Sequence, residues 1–126
     1  MTLTHVVAYA VTWIIGIGII LIGARFLLAP RPSAAGFGVA VGPQAGDANA
    51  YLAVKGVRDI AFGLIAIALV FAATPRVLGW FMLCTAVAPI GDALIVLRYR
   101  GPKLTAYAVH GATAAVMVVA AVLLLR

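Results

Sequence analysis

Lys55-Gly56-Val57-Arg58-Asp59 sets a carboxylate beside a guanidinium at the mouth of an apolar run that continues through Ala73. Asp92 stands in a later apolar run, three residues after Pro89, and His110 stands alone in the last one. A carboxylate among lipid tails is costly unless it is paired or hydrated, so such residues face a bundle interior or a cavity. Two carboxylates brought together split their proton affinities, which supplies an acid and a base from one residue type. In that arrangement Asp59 acts as base, Asp92 as acid and Arg58 as the bridge between them, with His110 and Tyr107 as alternative proton carriers. Gly56, Asp59 and Gly63 fall on one helical face, where another backbone or a ligand can approach. Gly56, Gly63, Tyr107, Arg25 and Phe37 are therefore the candidate substrate contacts. Each has a plainer reading. Arg58 and Arg98 can snorkel to headgroups, Asp59 and Asp92 can be structural ion-pair partners, and His110 can be a buried histidine bonded to a neighbour.

The elements that hold these groups follow from composition. Hydrophobic residues make up 66% of the 126-residue chain and charged residues 10%, far from the roughly even split and one-quarter charge of soluble domains. A chain this short cannot bury so much apolar surface in its own core, so its solvent is lipid. One domain over residues 1–126 is expected. The formal charge of +6 does not signal nucleic acid, because the bases cluster at the ends of apolar runs and form no continuous face with interleaved aromatics. Cys84, the single cysteine, excludes an internal disulfide and a cysteine-rich metal site. Helical spacing offers no paired metal ligands, and no glycine pattern for a nucleotide is present. No metal and no cofactor is expected.

Four runs are long enough to span a bilayer at about 20 residues each: about 6–28, 52–73, 77–98 and 103–125. The first lacks the basic start and small-residue cleavage pattern of a signal peptide and is expected to be a retained span. Thr74-Pro75-Arg76 and Tyr99-Arg100-Gly101-Pro102 read as tight turns. The long connection 29–51 carries Pro30, Pro32, Gly36, Gly38, Gly42, Pro43 and Gly46, which argues against a regular helix across it. It is nonetheless too apolar for a solvated linker. A re-entrant or interfacial segment over one end of the bundle fits it, and such a segment can be a lid.

The expected fold is therefore an all-α, up-down-up-down, integral membrane four-helix bundle. Seven bases (Arg25, Arg31, Lys55, Arg58, Arg98, Arg100, Lys103) fall on one side of it and two (Arg76, Arg126) on the other. The positive-inside rule makes the seven-base side cytoplasmic and both termini external, in an inner or plasma membrane. Asp92 lies about 9 Å of helix before Arg98, and His110 about 10 Å after Lys103. Asp59 and Arg25 also lie towards this side, so all four spans contribute a polar group to one half of the bundle. Trp13 and Trp80 read as anchors at the opposite interface.

The runs Lys55–Gly63 and Pro89-Ile90-Gly91-Asp92, the lone His110 and the loop Ala35-Gly36-Phe37-Gly38 resemble a family of small bacterial and fungal membrane proteins, domain of unknown function 4267. The resemblance covers most of the chain and rests chiefly on the G-x-R-D and G-D elements. It implies a four-helix membrane fold and points to Gly56, Arg58, Asp59, Asp92 and His110, and it implies no activity. In chemistry alone, two carboxylates bridged by an arginine are similar to the limonene epoxide hydrolase type, in which one carboxylate activates water and the other protonates the epoxide oxygen. The function expected is an intramembrane acid–base enzyme for a lipophilic small molecule, an epoxide hydrolase or a related isomerase or cyclase. Its partners would be that substrate and membrane lipids, and a homodimer is possible. The alternatives are a small proton-coupled transporter and a non-catalytic lipid-binding or membrane subunit.

Overall fold

The computed structural model describes residues 1–43 and 46–126; Gln44 and Ala45, inside the long connection, lie outside the described residues. The described chain is all-α: α1 (Leu3–Leu28), α2 (Pro30–Phe37), α3 (Ala48–Ala72), α4 (Pro75–Thr85), α5 (Val87–Arg98), a π-helical segment (Thr105–Gly111) and α6 (Ala112–Leu125). Three helices are long and apolar enough to cross a membrane: Leu3–Leu28, the α4–α5 unit Pro75–Arg98, and Thr105–Leu125. At 25 residues α3 is as long, but it carries Lys55, Arg58 and Asp59 in its first half. Leucines, isoleucines and valines are exposed along all of the long helices. In water such a surface would aggregate, and in lipid it is solvated.

Local chemistry sets the boundaries. Thr2 and Thr74 cap α1 and α4 by accepting hydrogen bonds from the His5 and Val77 amides, and Pro75 opens α4 at a position that needs no amide hydrogen. Pro89 has no amide to offer the Thr85 carbonyl, and the Thr85 hydroxyl turns back onto the Phe81 carbonyl at 2.7 Å. The third expected span is accordingly two helices that meet at Ala86.

The connection departs further from its expected irregularity, because Pro30–Phe37 form α2. Its prolines do not oppose this: Pro30 and Pro32 sit in the first turn, where amides have no intrahelical acceptor. Gly38, at φ 107°, ends the helix. The Gly38 amide bonds the Ala35 carbonyl and the Val39 amide bonds the Ala34 carbonyl, the two bonds of a Schellman cap. α5 ends in the same cap, with Arg100 bonded to Leu97 and Gly101 to Val96. There the left-handed position belongs to Arg100, at φ 59°, which costs about 1 kcal/mol relative to glycine.

The helices pack as two pairs, α1 with α3 and α4–α5 with the π segment and α6, and α1 touches α6 across them. The α1–α3 contact is made by glycine. A Cβ on Gly23 would stand 2.5 Å from the Gly56 carbonyl oxygen, and one on Gly63 2.5 Å from that of Gly16. Small residues let helix backbones approach in lipid, where packing rather than the hydrophobic effect drives association. Near the chain termini a core of Ala8, Leu78, Met82, Ala86, Met117, Ala120, Ala121 and Leu124 closes α1 on α4 and α6.

Candidate functional site

At the end remote from that core, five elements bring polar groups together. One turn of α3 separates Lys55 from Asp59, and their side chains form an ion pair, Nζ to Oδ2, at 2.5 Å. The Lys55 ammonium also lies over two rings, 4.6 Å from the centroid of Phe26 on α1 and 4.8 Å from that of Phe37 on α2. Both distances are in the range of cation–π attraction. Phe26 and Phe37 meet edge to face, their centroids 6.2 Å apart.

His110 comes from the π segment and is 7% exposed. Its Nε2 is 2.8 Å from the Phe37 carbonyl oxygen, and its ring lies 4.4 Å from the Phe37 ring. A carbonyl only accepts, so Nε2 carries the hydrogen of that bond. The other ring nitrogen, Nδ1, faces Asp92 Oδ2 of α5 at 3.9 Å. A bare imidazole nitrogen and a carboxylate oxygen repel, so this pair is favoured when a proton is held on one of them. Asp92 is also within electrostatic reach of Lys55 and Asp59.

Local backbone explains the aim of these groups. The π winding bonds the Ala112 amide to the Tyr107 carbonyl, five residues back, and widens the turn at His110, a feature frequent at functional sites. A wider turn also separates positions three apart, and Tyr107 stands 63% exposed on the outside. The break at Pro89 comes one turn before Asp92.

The sequence-derived candidates thus divide. Asp59, Asp92, His110 and Phe37 are gathered at one place. Arg58 is not: it is exposed and makes no ion pair among the described residues. One helical position is about 100° of rotation, so Arg58 cannot share the inward direction of its neighbour Asp59, and Lys55, a full turn away, can. Arg25 is exposed as well. Gly56 and Gly63 are buried against the α1 backbone, which serves helix approach and leaves no room there for a ligand. Sequence reasoning passed over Lys55 and Phe26 as site residues. The i,i+4 spacing of Lys55 and Asp59 was the available signal for the first, while the Phe26 contact depends on how α1 docks. Among the described residues no three of His, Cys, Asp or Glu come together to hold a metal ion.

Residues 16–124 match the family model described as Domain of unknown function (DUF4267). The chain belongs to that family. The match takes in every group of the cluster just described, from Phe26 to His110, so the cluster lies wholly inside the family's domain. No curated protein and no solved structure matches the chain.

Proposed function

We propose that this cluster is an intramembrane acid–base site that acts on a lipophilic small molecule, best matched to opening of an epoxide by water or to a related isomerisation or cyclisation. The observation that carries the reading is the His110–Asp92 pair, with Nε2 fixed on the Phe37 carbonyl and Nδ1 turned to the carboxylate. A proton-transfer group oriented by a third partner is the arrangement that acid–base catalysis needs. Asp59, held as the ion-paired carboxylate by Lys55, orients and deprotonates water. The Asp92–His110 pair holds the proton that passes to the epoxide oxygen as the carbon–oxygen bond breaks, and the product is a diol. Lys55, paired with Asp59 and within electrostatic reach of Asp92, takes the part expected of Arg58.

In this reading α3 is the fourth span, at 25 residues or about 37 Å, with its carboxylate internally paired and Arg58 turned to headgroups. α2, eight residues and about 12 Å long, lies over the site near the cytoplasmic face as a re-entrant cover. The seven-base end faces the cytoplasm, and both termini face outwards.

The test is turnover of a panel of lipophilic epoxides by the chain in detergent micelles, read as diol formation in ¹⁸O-labelled water. Asp92→Asn and His110→Gln should each lower the rate by about 10²–10⁴-fold, the usual worth of a positioned proton-transfer group. Arg58→Gln should leave it within about twofold, since the exposed guanidinium lies outside the cluster. Equal loss with Arg58→Gln, or no turnover of any epoxide, isomerisable or cyclisable substrate, would sink the enzyme reading. Uptake into liposomes driven by a pH gradient, without product, would put the proton-coupled transporter in its place. Loss of folding without either activity would leave the non-catalytic subunit.

A further inference from the structure

The turn Tyr99–Pro102 holds a residue that the acid–base reading leaves idle. Arg100 occupies the left-handed position of its cap, where glycine is the least strained choice. Glycine stands one position later for another reason: a Cβ on Gly101 would run into the Gly38 carbonyl oxygen and Val96. The caps of α2 and α5 are thus pressed together, Gly38 against Gly101, with Val96 fully buried beneath them.

Beside this contact opens a cleft of about 450 Å³, walled by Ala35, Val39 and Ala40 on one side and by Tyr99, Arg100 and Pro102 on the other. Arg100 has no carboxylate partner among the described residues: Asp59 pairs with Lys55 and Asp92 with His110, and Asp47 is exposed in the connection. Arg98 and Lys103 flank the same turn and are exposed with it. The cleft is therefore lined by Arg100, which has no carboxylate partner among the described residues, and by Tyr99 beside apolar residues, at the end of the helices that carries most of the bases.

We propose that this cleft binds the anionic headgroup of a membrane amphiphile, a phosphate or carboxylate, with Arg100 as its principal ligand. A planar guanidinium grips such a group through two parallel hydrogen bonds, and the apolar walls take the first carbons beyond it. A headgroup seated here also braces α2 one residue from Phe37, whose carbonyl fixes His110. The binding claim stands independently of the acid–base reading, and its test involves no turnover.

Thermal unfolding of the full chain in a neutral detergent, titrated with dioleoyl phosphatidic acid, dioleoyl phosphatidylcholine or inorganic phosphate, decides it. Phosphatidic acid should stabilise the wild-type chain at concentrations at least tenfold below those needed with phosphatidylcholine. Arg100→Gly should melt about 2–5 °C higher without ligand, because the strained position is relieved, and yet bind phosphatidic acid at least tenfold more weakly. Arg100→Gln should lose the same affinity without that gain. Wild-type affinity in both variants would overturn the assignment, as would equal binding of phosphatidylcholine. Binding of inorganic phosphate at the concentrations that suffice for phosphatidic acid would overturn the headgroup as its source.

Discussion

At the end that carries both termini, α1, α4 and α6 meet through the apolar side chains of Ala8, Leu78, Met82, Met117 and Leu124. At the other end α1, α2, α3, α5 and the π segment meet through Lys55, Asp59, Asp92 and His110, roofed by Phe26 and Phe37. The first end is joined by contact between small and flexible apolar groups, which adapt to one another. The second is joined by directed interactions: an ion pair, a hydrogen bond to one carbonyl, and two ring faces. In lipid the hydrophobic effect favours neither end, because tails solvate apolar side chains as well as neighbouring helices do. The fold is thus locked by packing at one end, which leaves the other end to hold charges that packing alone would not favour. Apolar burial and polar chemistry are divided along the helix axis rather than between a core and a surface.

The largest effect that tests this division is at the packed end. Leu78 is fully buried, and Leu78→Ala should lower stability by about 2 kcal/mol, the low end of the range for buried leucines. The reduction from the soluble range reflects lipid, which removes most of the transfer contribution and leaves the lost contacts. Thermal or denaturant unfolding in micelles measures it. The comparison predicts that the variant's remaining folded fraction keeps wild-type behaviour at the polar end. If diol formation or lipid binding per folded molecule falls as well, the two ends are coupled and the division is wrong.

Next comes the ion pair. Asp59→Asn leaves the Lys55 ammonium without its carboxylate, and should cost about 1–2 kcal/mol. That is less than breaking a fully buried pair, because the Lys55 side chain retains 30% of its exposure. The exchanged pair Lys55→Asp with Asp59→Lys should recover part of the loss, since i,i+4 geometry survives the swap. Recovery in the unfolding midpoint marks a pair that matters for attraction alone. Absence of recovery would show that the ammonium's position over Phe26 and Phe37 matters more than its partner.

What the sequence allowed to be read follows the same division. The apolar runs place the long helices to within a few residues, because an apolar stretch some 20 residues long has few other solutions. Residue counting puts Asp59, Asp92 and His110 near one end, since helical rise converts sequence distance directly into depth. Rotation about the helix axis is harder to read. Arg58 and Asp59 are adjacent in sequence and diverge in space, whereas Lys55 returns to Asp59 after one turn. The π winding at Thr105–Gly111 alters rotation without changing the apolar pattern, so Tyr107 reads as inward and lies outside. α2 is hidden by its own composition, because prolines that break a helix interior are compatible with its first turn. Docking of Phe37 on His110 joins residues 73 apart in sequence, a pairing no local pattern encodes.

The smallest effect refines the account of the polar end. Ser33, on α2, has a buried hydroxyl oxygen with no hydrogen-bond partner among the described residues. An unmatched buried hydroxyl opposes folding, so removing it should be neutral or favourable. Ser33→Ala should raise stability by up to about 1 kcal/mol, a gain shared between the lost desolvation cost and the better helix propensity of alanine. The packed end offers no such gain, because its buried Thr12 hydroxyl already donates to the Ala8 carbonyl at 2.9 Å. Thr12→Ala should therefore not stabilise, and the pair of melts reads the contrast directly. A loss of stability in Ser33→Ala would mean that this hydroxyl has a partner in the folded protein in solution. The cover over His110 would then be held by one more bond than the Phe37 carbonyl provides.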